Sequence, residues 1–258
     1  MRISNEPKLN HVAIIVPFYN EEKRFRHEYF LNLTEKKNMS WVFVNDGSTD
    51  ETSNLLNRFS KNKNVKVIHI NKNQGKASAI RVGIREAIKS EDKYIWIGFL
   101  DADGAFSISD IEKIVNITTI KSNFDAVYSS RVQLSGRKII RSQFRHIISR
   151  VIVTFFGTIW KTMPYDTQSG FKLYQNNNNL LDIFQNPFST KWFLDIEITI
   201  RFIKRFRRPL LVWEEPLTSW SDVPGSKISF RSAPQLLFEV YKIYFALFKV
   251  RDQLSKLN

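Results

Sequence analysis

The 258-residue chain contains no cysteine. Disulfides and thiolate chemistry are therefore excluded, which suits a reducing compartment. Long apolar runs are also missing. No stretch approaches the roughly 18 uninterrupted apolar residues of a spanning helix, and the opening MRISNEPKLNH lacks an apolar core, so neither a secretory signal nor a membrane span is expected. There is no internal repeat, and low complexity is confined to the asparagine run Asn176 to Asn179. Carboxylates are scarce: 25 acidic residues stand against 39 Lys and Arg, a net charge of +14. Between Arg131 and Lys161 there is no acidic residue at all. Such an excess favours a polyanionic partner, whether nucleic acid, an anionic membrane surface or a phosphorylated substrate.

What is present is an alternation of strand-like and helix-like segments. Val12 to Pro17, Trp41 to Asn45, Val65 to Ile70 and Tyr94 to Leu100 are short β-branched or aromatic runs. Between them, Ser48 and Glu51 have the spacing of a capping box opening a helix to about Phe59, and Lys76 to Ile88 is apolar at helical period. Ser109 and Glu112 have the same spacing before a further helix. This order predicts an α/β fold with a mostly parallel central sheet flanked by helices, its polar loops gathered at one sheet edge.

The run YIWIGFLDADGAF ends in Asp101 and Asp103, one residue apart. In an extended segment both project to one side. Two close carboxylates suit a hard divalent cation, Mg²⁺ or Mn²⁺, on a diphosphate. A solvated Asp-Ala-Asp-Gly turn is the plain alternative. From Arg131 to Lys161, apolar residues such as Ile140, Phe144, Ile148, Phe155 and Trp160 recur at helical spacing, with Arg141 and Arg145 on another face. This arm, about 137–163, reads either as a basic amphipathic helix lying on a membrane or as a core helix with a solvated basic face. A second amphipathic helix is expected over Leu236 to Val250. The division expected is one domain over 1–230 followed by a C-terminal amphipathic segment over 231–258.

Several blocks fall in a recognisable order: VPFYNEE, NDGSTDET, NQGKASAIRVGI, DADGAFSISDIEK, SSR, DTQSGFKLY and FLDIEI. Together they resemble family 2 glycosyltransferases of the GT-A fold, most nearly the dolichyl-phosphate β-glucosyltransferases, with dolichyl-phosphate mannose synthases as cousins. The resemblance implies a nucleotide-sugar donor, a UDP-hexose such as UDP-glucose, held by Pro17, Tyr19, Glu21, Asp46 and Lys76. It implies a metal ion on Asp101 and Asp103, and a catalytic set of these two with Asp166, Gln168 and Asp195. The implied acceptor is a polyprenyl phosphate, whose anion Arg131, Arg141, Arg145 and Lys172 would bind.

A phosphate monoester is largely dianionic at neutral pH and needs cations more than a base. The activity the resemblance implies is an inverting, metal-dependent hexosyl transfer at the cytoplasmic face of a membrane, by a peripherally bound protein with no nucleic-acid partner. One alternative keeps the fold but uses a hydroxyl of a glycan or glycolipid, with Asp195 or Glu197 as base. Another is a basic binding protein without activity. The chain departs from the family pattern at Asn45, Ala77 and Ser169.

Overall fold

The protein is described by a computed structural model covering residues 12–141, 150–151, 153–160, 163–177, 180–222 and 233–251. Apolar strand residues build a seven-stranded sheet. Its elements in chain order are β1 (Val12–Phe18), α1 (His27–Thr34), β2 (Met39–Asp46), α2 (Thr52–Asn57), β3 (Val65–Ile70), α3 (Lys76–Lys89), β4 (Trp96–Leu100), α4 (Ile108–Ile120) and β5 (Ala126–Ser130). They continue with β6 (Lys138–Ile140), β7 (Phe171–Gln175), α5 (Leu180–Gln185), α6 (Leu194–Phe206), β8 (Val212–Pro216), β9 (Ser219–Ser221) and α7 (Ala233–Phe248). The sheet order is β3-β2-β1-β4-β7-β5-β8, with β6 and β9 as a separate pair. Only β7 runs antiparallel to its neighbours, β4 and β5. The expected α/β architecture with a mostly parallel sheet is what forms.

The period-2 pattern splits each buried strand between two faces. Val12, Ile14 and Val16 join Phe30 and Leu33 of α1, Leu56 of α2 and Ile111 and Ile114 of α4 on one side. Ala13 and Ile15 join Ile80 and Ile84 of α3, Phe184 of α5 and Ile198 of α6 on the other. A third apolar cluster lies outside the sheet, where Phe156 and Trp160 meet Phe193, Ile196 and Ile200 and then Ile243 and Leu247 of α7. The C-terminal helix therefore packs on α6.

Some local readings are corrected. Ser48 does not cap α2; its hydroxyl accepts from the Asn20 N–H, and the Asp50 carboxylate takes the Thr52 N–H at the start of that helix. The cap of α4 is Ser107 rather than Ser109, its hydroxyl accepting the Asp110 N–H at 3.1 Å. The arm does not begin as a helix. Lys138–Ile140 is a strand paired with β9, residues 153–157 are helical, and Phe144, Arg145 and Ile148 lie outside the described residues. Phe156 and Trp160 are core, as the core-helix alternative has it, whereas Ile140, Val151 and Phe155 stay exposed. Among the described residues no helix is long and apolar enough to cross a membrane.

Candidate active site

The C-terminal ends of β1, β2 and β4 open on one edge, the place where open α/β sheets present loops to a ligand. Asp101 follows β4 directly, its N–H donating to the Gly170 carbonyl at 2.9 Å. The next residues form a turn rather than more strand, closed by Gly104 at φ +67°. That turn, and not strand alternation, brings the two acids together. Burial and the neighbouring charge of Asp101 raise the Asp103 carboxyl above its ordinary range. Arg26 fastens the turn from α1's side by donating to the Gly104 carbonyl at 2.8 Å.

Lys76 opens α3 after Gly75, whose φ of +91° lets the chain turn into the helix. Its Nζ lies 2.5 Å from Asp101 Oδ1. Loss of hydration alone would lower this ammonium, but the charges of Asp101, Asp195 and Asp103 hold it above its ordinary value. Of these carboxylates Asp101 pairs with Lys76 directly, while Asp195 pairs with Lys172. Hard oxygen donors around a site already holding a positive charge fit a divalent ion, for which Asp101 and Asp103 are the ligands to hand. Among the described residues no group of three His, Cys, Asp or Glu lies together as a complete cation site.

The expected nucleotide contacts divide. Pro17 and Tyr19 are half-buried where β1 leaves the sheet. Glu21 is buried and paired with Arg24 at 2.6 Å. Asp46 ends β2, but its carboxylate accepts the backbone N–H of Gln74 at 2.9 Å and of Gly75 at 2.7 Å, so it shapes the loop that presents Lys76.

On the other side of the acid pair, Asp166 and Arg131 form a bidentate pair, with contacts of 2.7 and 2.8 Å. The Arg131 N–H also donates to Asp166 at 2.9 Å. Despite burial, the charge and hydrogen bonds of Arg131 press the Asp166 carboxyl far below its ordinary range. Such a group orients a guanidinium and is a poor proton acceptor. Glu214 on β8 receives the N–H groups of Tyr165 and Asp166, holding this loop on the sheet. Arg131 stacks over the Trp220 ring, its guanidinium carbon 5.0 Å from the centroid.

Arg141 is half-buried in the same quarter, its guanidinium lowered by desolvation and the like charge of Arg131. Gln168 is half-buried. Arg145 lies outside the described residues. Lys172 is fully buried and pairs with Asp195 at 2.8 Å, so it lines no phosphate surface. Glu197 is committed to the Ser189 and Thr190 N–H groups and to Arg201, a structural role that removes it as a base.

Sequence reasoning missed Arg26, Glu214 and the Lys172–Asp195 pair. Strand period from Phe171 was the available signal for the last, since Phe171 and Leu173 enter one core and leave Lys172 on the opposite face with Tyr174. A cavity of about 490 Å³ adjoins the acid turn, bordered by Arg26, Tyr29, Gly104, Lys138, Ile140 and Trp220.

The chain is similar to known proteins in sequence and in fold. The family model described as Glycosyl transferase family 2 matches residues 13–181. The dolichyl-phosphate beta-glucosyltransferase of Saccharomyces cerevisiae is 31% identical over 243 residues, covering 84% of this chain and 69% of that protein. Its namesake from Dictyostelium discoideum is 28% identical over 252 residues, covering 91% and 74%. Glucosyl-3-phosphoglycerate synthase from Mycobacterium tuberculosis, solved with Mn²⁺, UDP and glucosyl-3-phosphoglycerate, superposes with a TM-score of 0.64 over 94% of this chain and 80% of that one. At 13% identity that last likeness is one of fold.

Proposed function

This chain belongs to glycosyl transferase family 2, and from that premise we propose that it transfers glucose from UDP-glucose to a polyprenyl phosphate with inversion at the anomeric carbon. The observation that carries the proposal is the pairing of Lys76 with Asp101, two residues before Asp103 at the end of β4, where the Asp101 N–H is bonded to Gly170 of the loop that brings Asp166 to Arg131. Acids and a lysine suit a metal-bound diphosphate; arginines suit a second anion arriving opposite. The yeast and Dictyostelium relatives, named for glucosyl transfer to dolichyl phosphate, support both the sugar and the acceptor.

In this reading Pro17, Tyr19 and Glu21 border the nucleotide, Asp46 sets the loop bearing Lys76, and Lys76 lies against the diphosphate. Asp101 and Asp103 would hold Mg²⁺ or Mn²⁺, which when bound neutralises the charge developing on the leaving group. Arg131, oriented by Asp166, and Arg141 meet the acceptor phosphate. A phosphate oxygen attacks C1, the C1–O bond to the diphosphate breaks, and UDP departs with the electron pair. Because the nucleophile is already an anion, no side chain has to take a proton. Gln168 borders the acceptor side.

The acceptor's hydrocarbon calls for a bilayer, and an exposed apolar surface supports peripheral docking. Leu237, Phe238, Tyr241, Phe245 and Phe248 stand out from α7, with Val151 and Phe155 beside them. Phe155 stacks on Tyr244 with ring centroids 4.7 Å apart, which joins the two helical segments in one patch. Lys242 on the same helix and Lys249 just past its end are exposed, suited to anionic headgroups. Incubation with UDP-glucose, Mn²⁺ and a short polyprenyl phosphate tests the proposal. A lipid-linked β-glucoside supports it; no lipid product with any nucleotide-sugar overturns it.

A further inference from the structure

Lys172 has no exposed surface. Its cross-strand neighbours on β4 and β5 are Phe99 and Tyr128, whose ring centroids lie 5.6 and 5.1 Å from the ammonium. The ammonium donates to the Ser169 carbonyl at 2.5 Å and meets Asp195 Oδ1 at 2.8 Å. Burying a cation among aromatic rings is costly, and here desolvation lowers the ammonium while Asp195 and Asp166 oppose that. Phosphate cannot reach a group so enclosed. The charge serves something inside the protein.

Its partner explains what. Asp195 stands in the first turn of α6 with its side chain 14% exposed, and the Lys172 it pairs with is bonded to Ser169, next to the Gly170 that receives the Asp101 N–H at the acid turn. An uncompensated carboxylate there would repel an approaching dianion. We infer that Lys172 is a buried counter-charge that neutralises Asp195 from beneath the cleft, so that a phosphate acceptor can draw near. This inference rests on the phosphate-acceptor reading above. It makes Lys172 a positioning and neutralising residue, acting through Asp195 and not on the substrate. Charges then alternate through the site: Arg131 against Asp166, Lys172 against Asp195, Lys76 against Asp101.

The test is a cycle of Lys172→Met, Asp195→Asn and the double variant in the full chain, assayed with Mn²⁺, UDP-glucose and a short polyprenyl phosphate. Thermal midpoints are measured alongside. Lys172→Met is expected to raise the acceptor KM on the order of tenfold while the donor KM stays within about twofold. Adding Asp195→Asn removes the exposed repulsion, so the double variant returns to the acceptor KM of Asp195→Asn alone. Should Lys172→Met fail to fold, the double variant, which contains no unpaired buried charge, decides by itself. A folded double variant whose acceptor KM stays raised overturns the inference, as does a Lys172→Met variant impaired equally toward donor and acceptor. A wild-type protein that glucosylates no lipid phosphate overturns this inference together with the acceptor reading; an active wild type with the wrong variant pattern overturns this inference alone.

Discussion

A methyl group at position 170 would sit 2.4 Å from Asp101 Oδ2 and 2.5 Å from its Cγ. Glycine is therefore required where the β7 approach passes beneath the first acid of the pair. Gly170→Ala should displace that carboxylate and cost about a hundredfold in kcat/KM, since misplacement by an ångström is enough for that. Steady-state kinetics with UDP-glucose check it. Arg131 holds the buried Asp166 by a bidentate pair. Arg131→Met leaves Asp166 buried without its cation, and urea unfolding should show a loss of about 3–5 kcal/mol. The pH dependence follows from the sign of the shift. Because the folded Asp166 carboxyl lies below the ordinary 3.8, its contribution to stability is complete above that value and is lost as pH falls below it. Unfolding midpoints should therefore drop steeply on the acid side of pH 3.8 in the parent, and less steeply in Asp166→Asn.

Helix ends and strand edges account for most of the differences between sequence pattern and fold. Ser107 and Ser109 are equally good caps by composition, and the choice falls on Ser107 because its helix must start early enough for Asp110 to be buried. The Asp110 carboxylate there takes the N–H groups of Thr218 and Ser219 between β8 and β9. Ser107→Ala should cost about 1 kcal/mol by denaturant unfolding. The strands β1, β2 and β4 were legible because their apolar runs are buried on both faces, and the edge strand β3 by its β-branched residues. Lys138–Ile140 was not, since its helical periodicity is overridden by pairing with β9, a partner some 80 residues away that no local pattern reveals. Lys172 was read as a ligand because a lysine in a motif looks functional; its burial depends on which face of β7 meets α6. The exposed face of α7 was legible in its spacing. Replacing Phe238 and Phe245 by serine should weaken partitioning onto anionic vesicles by at least about tenfold, measured by flotation.

At the scale of the whole molecule, the sheet gathers opposite charges in order at one edge while the chain as a whole is strongly basic. The net charge of +14 by itself fits nucleic acid, membrane or phosphate alike. It is the acidic motifs embedded in that basic background, and the family they belong to, on which the proposal of a diphosphate and a metal rests. The nearest distinction left is between a phosphate acceptor and a hydroxyl acceptor, and the loss of Glu197 to a structural role leaves Asp195 alone as a base for the second. The measurement that bears most directly on the account is transfer of labelled glucose from UDP-glucose to a short polyprenyl phosphate, with Mn²⁺ and with chelator, by the parent chain and by Asp103→Asn. The account predicts a lipid-linked product that vanishes with chelator and falls at least about a hundredfold in the variant. Product formation indifferent to both, or none with the parent, would contradict it.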